Sequence, residues 1–247
     1  MADNLKNLLQ DKLSQNRSSL ILAAGIIMAS LIFGLFFYAT RTTQGTLRVI
    51  GSATQSYTSD VIKWRMSIGK VVSQDNAKAG YVQLDKDLDT LKEFLKAGGV
   101  KDSEISTQPI TSYPTYNNQG QQTGYNLQQN IFIISKDVEK IEKMALSPKA
   151  LYEKGIVLQN ANISYFFSNL PSIKKDLLAK ATQDALGRAG EIAKNAHVTL
   201  GKMESARTGV FTITEPYSSE ENTYGGYNTA TRTKDVTITM YVNFYLQ

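Results

Sequence analysis

The sequence predicts an α+β protein in which an N-terminal transmembrane helix precedes a domain of largely antiparallel sheet with helices on one face. Three observations carry that reading. An uncharged apolar run fills residues 20–39. After it, stretches of period two alternate with stretches of period 3.6, the marks of strands and helices. Between residues 60 and 167 they fall in the order βαββαβ of a ferredoxin-like unit, and a further αββ is appended.

The apolar run, LILAAGIIMASLIFGLFFYA, holds 20 residues, enough as a helix to cross roughly 30 Å of hydrocarbon. A cleavable signal peptide has a shorter apolar region of about 7 to 15 residues and a small-x-small cleavage site. Phe37 stands where a small residue would be needed before Ala39, so the run reads as an uncleaved anchor. Lys6, Lys12 and Arg17 precede it, and only Arg41 and Arg48 follow closely. That bias predicts a cytoplasmic segment at 1–19, a single pass through the cell membrane at 20–39, a tether at 40–46 and an extracytoplasmic domain at 47–247. Gly25 with Ala29, and Ser30 with Gly34, have the small-x-x-x-small spacing that lets two anchors approach closely, which points to a homo-oligomer.

Strands are expected at 47–53 and 61–72. In the second, Ile62, Trp64, Met66 and Ile68 alternate with Lys63, Arg65 and Ser67, so Trp64 belongs to the core. Tyr81, Leu84, Leu88, Leu91 and Leu95 then recur every three or four residues, between Ser73 as N-cap and Gly98-Gly99 as a stop. A strand over 104–112 and one over 126–134 flank the polar stretch YPTYNNQGQQTGY, an unusually long hairpin connection. The next helix, 136–154, is broken by Ser147-Pro148 and ended by Gly155.

A strand at 156–167 leads through Asn169-Leu170-Pro171-Ser172 into a long helix reaching His197. Its stripe is Ile173, Leu177, Ala181, Ala185, Ala189, Ile192 and Ala196, small enough for close packing. His197 falls where an imidazole meets the exposed carbonyls of a helix end. A strand at 202–214, a second polar loop and a strand at 234–246 close the chain. The helix, strand, Tyr/Asn/Gly loop, strand plan therefore occurs twice, and Tyr113, Tyr116, Tyr125, Tyr217, Tyr224 and Tyr227 sit in the two loops.

Composition excludes several function classes. A net charge of +5 on 247 residues, with no basic cluster, gives no support for a nucleic-acid partner. Without cysteine there is no disulfide, thiolate site or cysteine nucleophile. His197 is the sole histidine, which leaves no His pair for a transition metal. Phosphate-loop, dinucleotide, nucleophile-elbow and zinc-protease motifs do not occur, so no catalytic, cofactor-binding or metal residue is expected. Asp85, Asp87 and Asp89 alternate with Lys86 beside apolar Leu84, Leu88 and Leu91, the pattern of a solvated helix face.

The short strand ending in Gly51, the segment ISTQPITSYPTYNNQGQQTGYNLQQNIFIIS, then DVEKIEKMAL, NANISYFFSN, the Ala-rich helix reaching LGKMESA and the final VTITMYVNFYL together resemble the SIMPL-domain family of exported bacterial proteins. At 159–162 this chain has QNAN where the family usually carries a Gly-Ala-Asn-like run. The resemblance implies a periplasmic or membrane-anchored protein, some of whose relatives form large ring-like or channel-like oligomers while others are linked to stress resistance. It implies no molecular activity.

Two functional readings follow. One is a membrane-anchored structural or assembly protein whose domain self-associates. The other is an extracytoplasmic binding module in which the two tyrosine loops share one face and capture a glycan, peptide or protein partner. An enzyme is the third reading, and it requires a pocket joining His197 to a buried carboxylate.

Overall fold

The computed structural model describes residues 2–41, 45–218 and 225–247, and side chains from residue 19 onward with Arg41 set aside. Helix α1 spans Ala2–Arg41, and within it Ser19–Thr40 is long and apolar enough to cross a membrane, with every side chain exposed. The domain begins at Thr46, so the tether is shorter than expected, and its residues 42–44 lie outside the described residues.

The domain holds strands β1 (Thr46–Thr58) and β2 (Val61–Ser73), helix α2 (Ala77–Ala97), strands β3 (Ile105–Thr107), β4 (Thr111–Tyr116) and β5 (Gln122–Ser135), helices α3 (Val138–Ala145) and α4 (Lys149–Glu153), strand β6 (Leu158–Phe166), helix α5 (Leu170–Asn195), and strands β7 (Leu200–Thr208), β8 (Thr212–Thr214) and β9 (Thr233–Leu246). The ferredoxin-like half is present as read. Its sheet runs β3-β5-β2-β6, with β4 also on β5, all antiparallel. The appended αββ does not extend that sheet. It forms a second one, β1-β9-β7 with β8 also on β9, in which the first and last strands of the domain pair along their full length.

Each sheet has its own core. Trp64, Ile62, Met66, Leu127 and Ile131 meet Leu84, Leu88, Leu91 and Leu95 of α2 in the first. Val236, Ile238, Val242 and Phe244 meet Leu177, Ala181, Ala185 and Ala189 of α5 in the second. Gly51 is what lets α5 lie so close to β1. A Cβ there would fall 2.2 Å from the Ala181 carbonyl oxygen and 2.5 Å from the Ala185 nitrogen. The helix also guards the strand's free edge, since Asp184 accepts the outward Ser52 N–H at 2.8 Å.

The two echoed halves match in three dimensions. In each, a long helix leads to an edge strand broken in two, and the chain returns as the central strand. The sheets are joined by one nearly continuous ribbon, β1 to β2, whose backbone changes partners midway. Ser59 N–H donates to Arg232 of the second sheet's side at 2.8 Å, and Asp60 N–H donates to Phe166 of the first sheet's side at 3.2 Å.

Several local expectations change. The strand expected to stop at residue 53 continues to Thr58, because Thr54 and Ser56 occupy its wet face and do not mark an end. The strand expected over 104–112 breaks around Pro109, which has no N–H to donate. Likewise 202–214 divides into β7 and β8. Tyr81 is 40% exposed and outside the core arc of α2. On α5 the buried stripe continues from Ala189 to Ala193, leaving Ile192 and Ala196 exposed.

The end of α5 is also built differently from the expected imidazole cap. His197 takes a left-handed conformation, φ 57°, its N–H donates to Lys194 and the Val198 N–H donates to Ala193. This is a Schellman ending made by the backbone. Gly99-Val100 after α2 and Gly155-Ile156 after α4 end in the same way.

Candidate functional site

The first tyrosine stretch is a hairpin with a tip shorter than the sequence suggested. Tyr113 and Tyr116 belong to β4, Tyr125 belongs to β5, and only residues 117–121 turn. Asn117 fixes that tip: its side-chain oxygen accepts from Gln119 N–H at 3.0 Å and Gln121 N–H at 2.9 Å, and Gly120 supplies the positive φ. Tyr125 packs on the core beneath, whereas Tyr113 and Tyr116 are exposed. Tyr113, Asn126 and Val71 line up across β4, β5 and β2, and Val71 is exposed too.

The described residues on either side of the second loop's tip are tied back onto the sheets. Tyr217 is fully exposed with φ 60°, and Tyr224 lies outside the described residues. Residues 225–229 fold back along β8, where Ile213 N–H donates to Gly226 and Asn228 N–H donates to Ile213. The same segment then reaches the other sheet, as Thr229 accepts from Tyr165 N–H at 2.8 Å. Tyr227 is tied into that junction. Its hydroxyl accepts from the Phe167 N–H at 3.2 Å, and its ring lies 5.9 Å from Phe166. Burial raises its pKa, partly offset by that bond.

Among the described residues, Tyr227 and the first loop's tip therefore do not share one face. Tyr227 sits where β2 begins and the 117–121 tip where β2 ends, a separation of roughly 40 Å at about 3.3 Å per residue. Of the six tyrosines, Tyr113, Tyr116 and Tyr125 share one hairpin, with Tyr125 on its core face and Tyr113 on its open face, and Tyr227 is held apart from them. In the anchor, Gly25, Ala29, Ser30 and Gly34 are all exposed on α1, and nothing lies within 4 Å of a Cβ built at Gly25 or Gly34.

Sequence reasoning missed the polar seam between the sheets. Asp60 accepts from Ser168 N–H at 2.7 Å and from the Ser168 hydroxyl, fastening the ribbon to the start of α5. Burial works to raise the Asp60 pKa, but the Ser168 bonds outweigh it and hold the carboxyl below its usual value. On the first sheet's side of the seam Tyr165 OH donates to Glu142 at 2.6 Å, and from the other side Arg232 pairs with Glu139 at 3.3 Å and Glu142 at 3.6 Å. Burial, with the bond to Glu142 behind it, pushes the Tyr165 hydroxyl up to about 12. Beside it Lys234 is wholly buried, donates to the Thr231 carbonyl and has its ammonium 5.8 Å from the Tyr165 ring. Burial pushes its pKa down to about 8. One signal was present: Lys234 shares the parity of Val236, Ile238, Met240, Val242 and Phe244, all inward on β9.

His197 is exposed and joins no buried carboxylate among the described residues. No group of three or more His, Asp or Glu able to hold a metal occurs among the described residues.

These features define a class: an α+β domain of two half-covered antiparallel sheets, carried behind a helix able to span a membrane. The profile of the SIMPL family, described as a protein of unknown function (DUF541), matches residues 47–244, and the chain belongs to that family. No curated protein shows significant similarity to the chain.

Proposed function

We propose that this is a membrane-anchored extracytoplasmic assembly protein, with a cytoplasmic N-terminus, whose domain self-associates into a ring-like or channel-like oligomer standing on the membrane. The observation that carries the reading is the one-sided cover of both sheets. Helices occupy one face of each, and the opposite faces remain open, with Ile50, Val71 and Tyr113 exposed on them. Strand β9 ends beside Gly45, where the Leu246 N–H donates to the Gly45 carbonyl, so the second sheet is fastened next to the tether. The exposed small residues of α1 offer a second contact inside the membrane.

The competing reading, two tyrosine loops closing on one ligand, is weakened by their separation along β2. Negative-stain electron microscopy and mass photometry of the full-length protein in detergent test the proposal. The expected outcome is closed particles of many copies, which shrink when Gly25 and Gly34 are both replaced by leucine. Monomers at every concentration overturn it.

A further inference from the structure

Lys63 and Arg65 point from the open face of the first sheet, two residues apart on β2. The register places Ser164 opposite Lys63 and Asn162 opposite Arg65 on β6, and Phe132 opposite Arg65 on β5. Both cationic heads rest over the one Phe132 ring, the Lys63 ammonium 5.0 Å and the Arg65 guanidinium 5.3 Å from its centroid. Neither enters an ion pair among the described residues, although seven other pairs do form. Two like charges over one ring repel, and the ring's quadrupole offsets only part of that repulsion.

Next to this pair is a cavity of about 310 Å³ lined by Lys63, Arg65, Asn162, Ser164, Thr229 and Ala230. Its walls are fixed before any ligand arrives. β2 and β6 are hydrogen-bonded through the site, and Thr229 is held by its bond from Tyr165 N–H. Asn162 is steadied by donating to Asn160 at 2.9 Å.

We infer that this cavity is an oxyanion-binding subsite, taking a carboxylate or phosphate group between the Lys63 ammonium and the Arg65 guanidinium. Arg65 supplies a planar fork of N–H donors and Lys63 a point charge, the combination that suits an oxygen-rich anion. The Asn162 amide and the Ser164 hydroxyl add neutral donors from the neighbouring strand. The anion also supplies the counter-charge that the Phe132 ring lacks. The cavity is lined by one chain, so the subsite needs no residue from a second copy.

Full-length protein in detergent is titrated by calorimetry with inorganic phosphate and, separately, with glucuronate, at ionic strength held constant with sodium chloride. Saturable binding on the order of 1 mM or tighter is expected for at least one anion. The one that binds identifies whether a phosphate or a saccharide-type carboxylate is the natural group. The double variant K63Q/R65Q, both changes on an open face, loses at least about tenfold in affinity, while Lys78→Gln on α2 binds as the wild type does. Acetylation footprinting gives a measurement that needs no variant: the bound anion protects Lys63 and leaves Lys78 unprotected. No saturable heat with either anion, or binding unchanged in K63Q/R65Q, or Lys63 unprotected at saturation, overturns the assignment.

Discussion

Replacing Lys234 by methionine is the sharpest test of how the seam is built. The amine is wholly buried on the inward face of β9, and burial holds its pKa at about 8 against an ordinary lysine value of 10.5. At 1.36 kcal/mol per tenfold, that difference corresponds to roughly 3 kcal/mol of penalty on the charged form. The sign follows from proton counting. Below pH 8 both folded and unfolded chains carry the charge, and the penalty is fully present. Between pH 8 and 10.5 the unfolded chain keeps a proton that the folded chain has released, so stability rises with pH by up to about 1.4 kcal/mol per pH unit.

Methionine fills similar volume without charge, and so removes the penalty and its pH dependence. It also leaves the Thr231 carbonyl without its donor, which costs about 1 kcal/mol. The net expectation at pH 7 is a gain of about 2 kcal/mol, or roughly 4 to 8 °C in melting temperature for a chain of this size. Tyr165 sets the upper limit of the window. Its raised pKa contributes stability that is present below pH 10 and lost as pH climbs towards 12, so the comparison runs from pH 7 to 10. Scanning calorimetry of both full-length proteins should show the gap closing across that range. A gap that stays constant, or a Lys234→Met protein less stable than the wild type at pH 7, refutes the reasoning.

Two further substitutions probe the helix ends and the two cores. His197→Gly relieves a left-handed residue at the end of α5, and chemical denaturation should show a gain of about 0.5 to 1 kcal/mol. Gly51→Val drives a side chain into the α5 backbone and should cost about 3 kcal/mol or more, with hydrogen exchange accelerating along α5 and β9. Trp64 fluorescence should stay native in that variant under mild conditions, because Trp64 belongs to the other core.

The order of elements, the apolar span and the core role of Trp64 were all legible, because each depends on local periodicity. What periodicity does not carry is the choice of partner. β1 and β9 lie at opposite ends of the domain, and nothing near either one says that they pair. A hint did exist in parity. The inward positions of β1 are odd, with Val49, Gly51 and Ala53, and those of β2 are even, with Ile62, Trp64 and Met66. A change of parity within two residues is what a strand shows when it leaves one core for another.

The tyrosine stretches were read as equivalent tips because each follows the same helix, strand, Tyr/Asn/Gly loop, strand plan. The first closes tightly because Asn117 organises five residues, whereas the second must reach across to β6 and is held by Thr229 and Tyr227. Those bonds join residues 60 or more positions apart, beyond what composition reports. The Lys63 and Arg65 pair was visible as a wet strand face, but its cavity needed β6 and residues 229–230 to be placed.

The change of partner at Ser59 and Asp60 has a consequence for how the chain folds. Val61 and Phe166 lie directly opposite one another, so the whole ferredoxin-like half is an insertion whose two ends meet. Until it forms, bringing β1 to α5 means closing a loop of about a hundred residues, at an entropic cost on the order of 4 kcal/mol. Once it forms, that cost is already met, and β1 is delivered beside α5 and β9 with little left to search. The inserted half, residues 61–166, is thus expected to assemble first and to serve as the template on which β1, α5 and β9 are brought together.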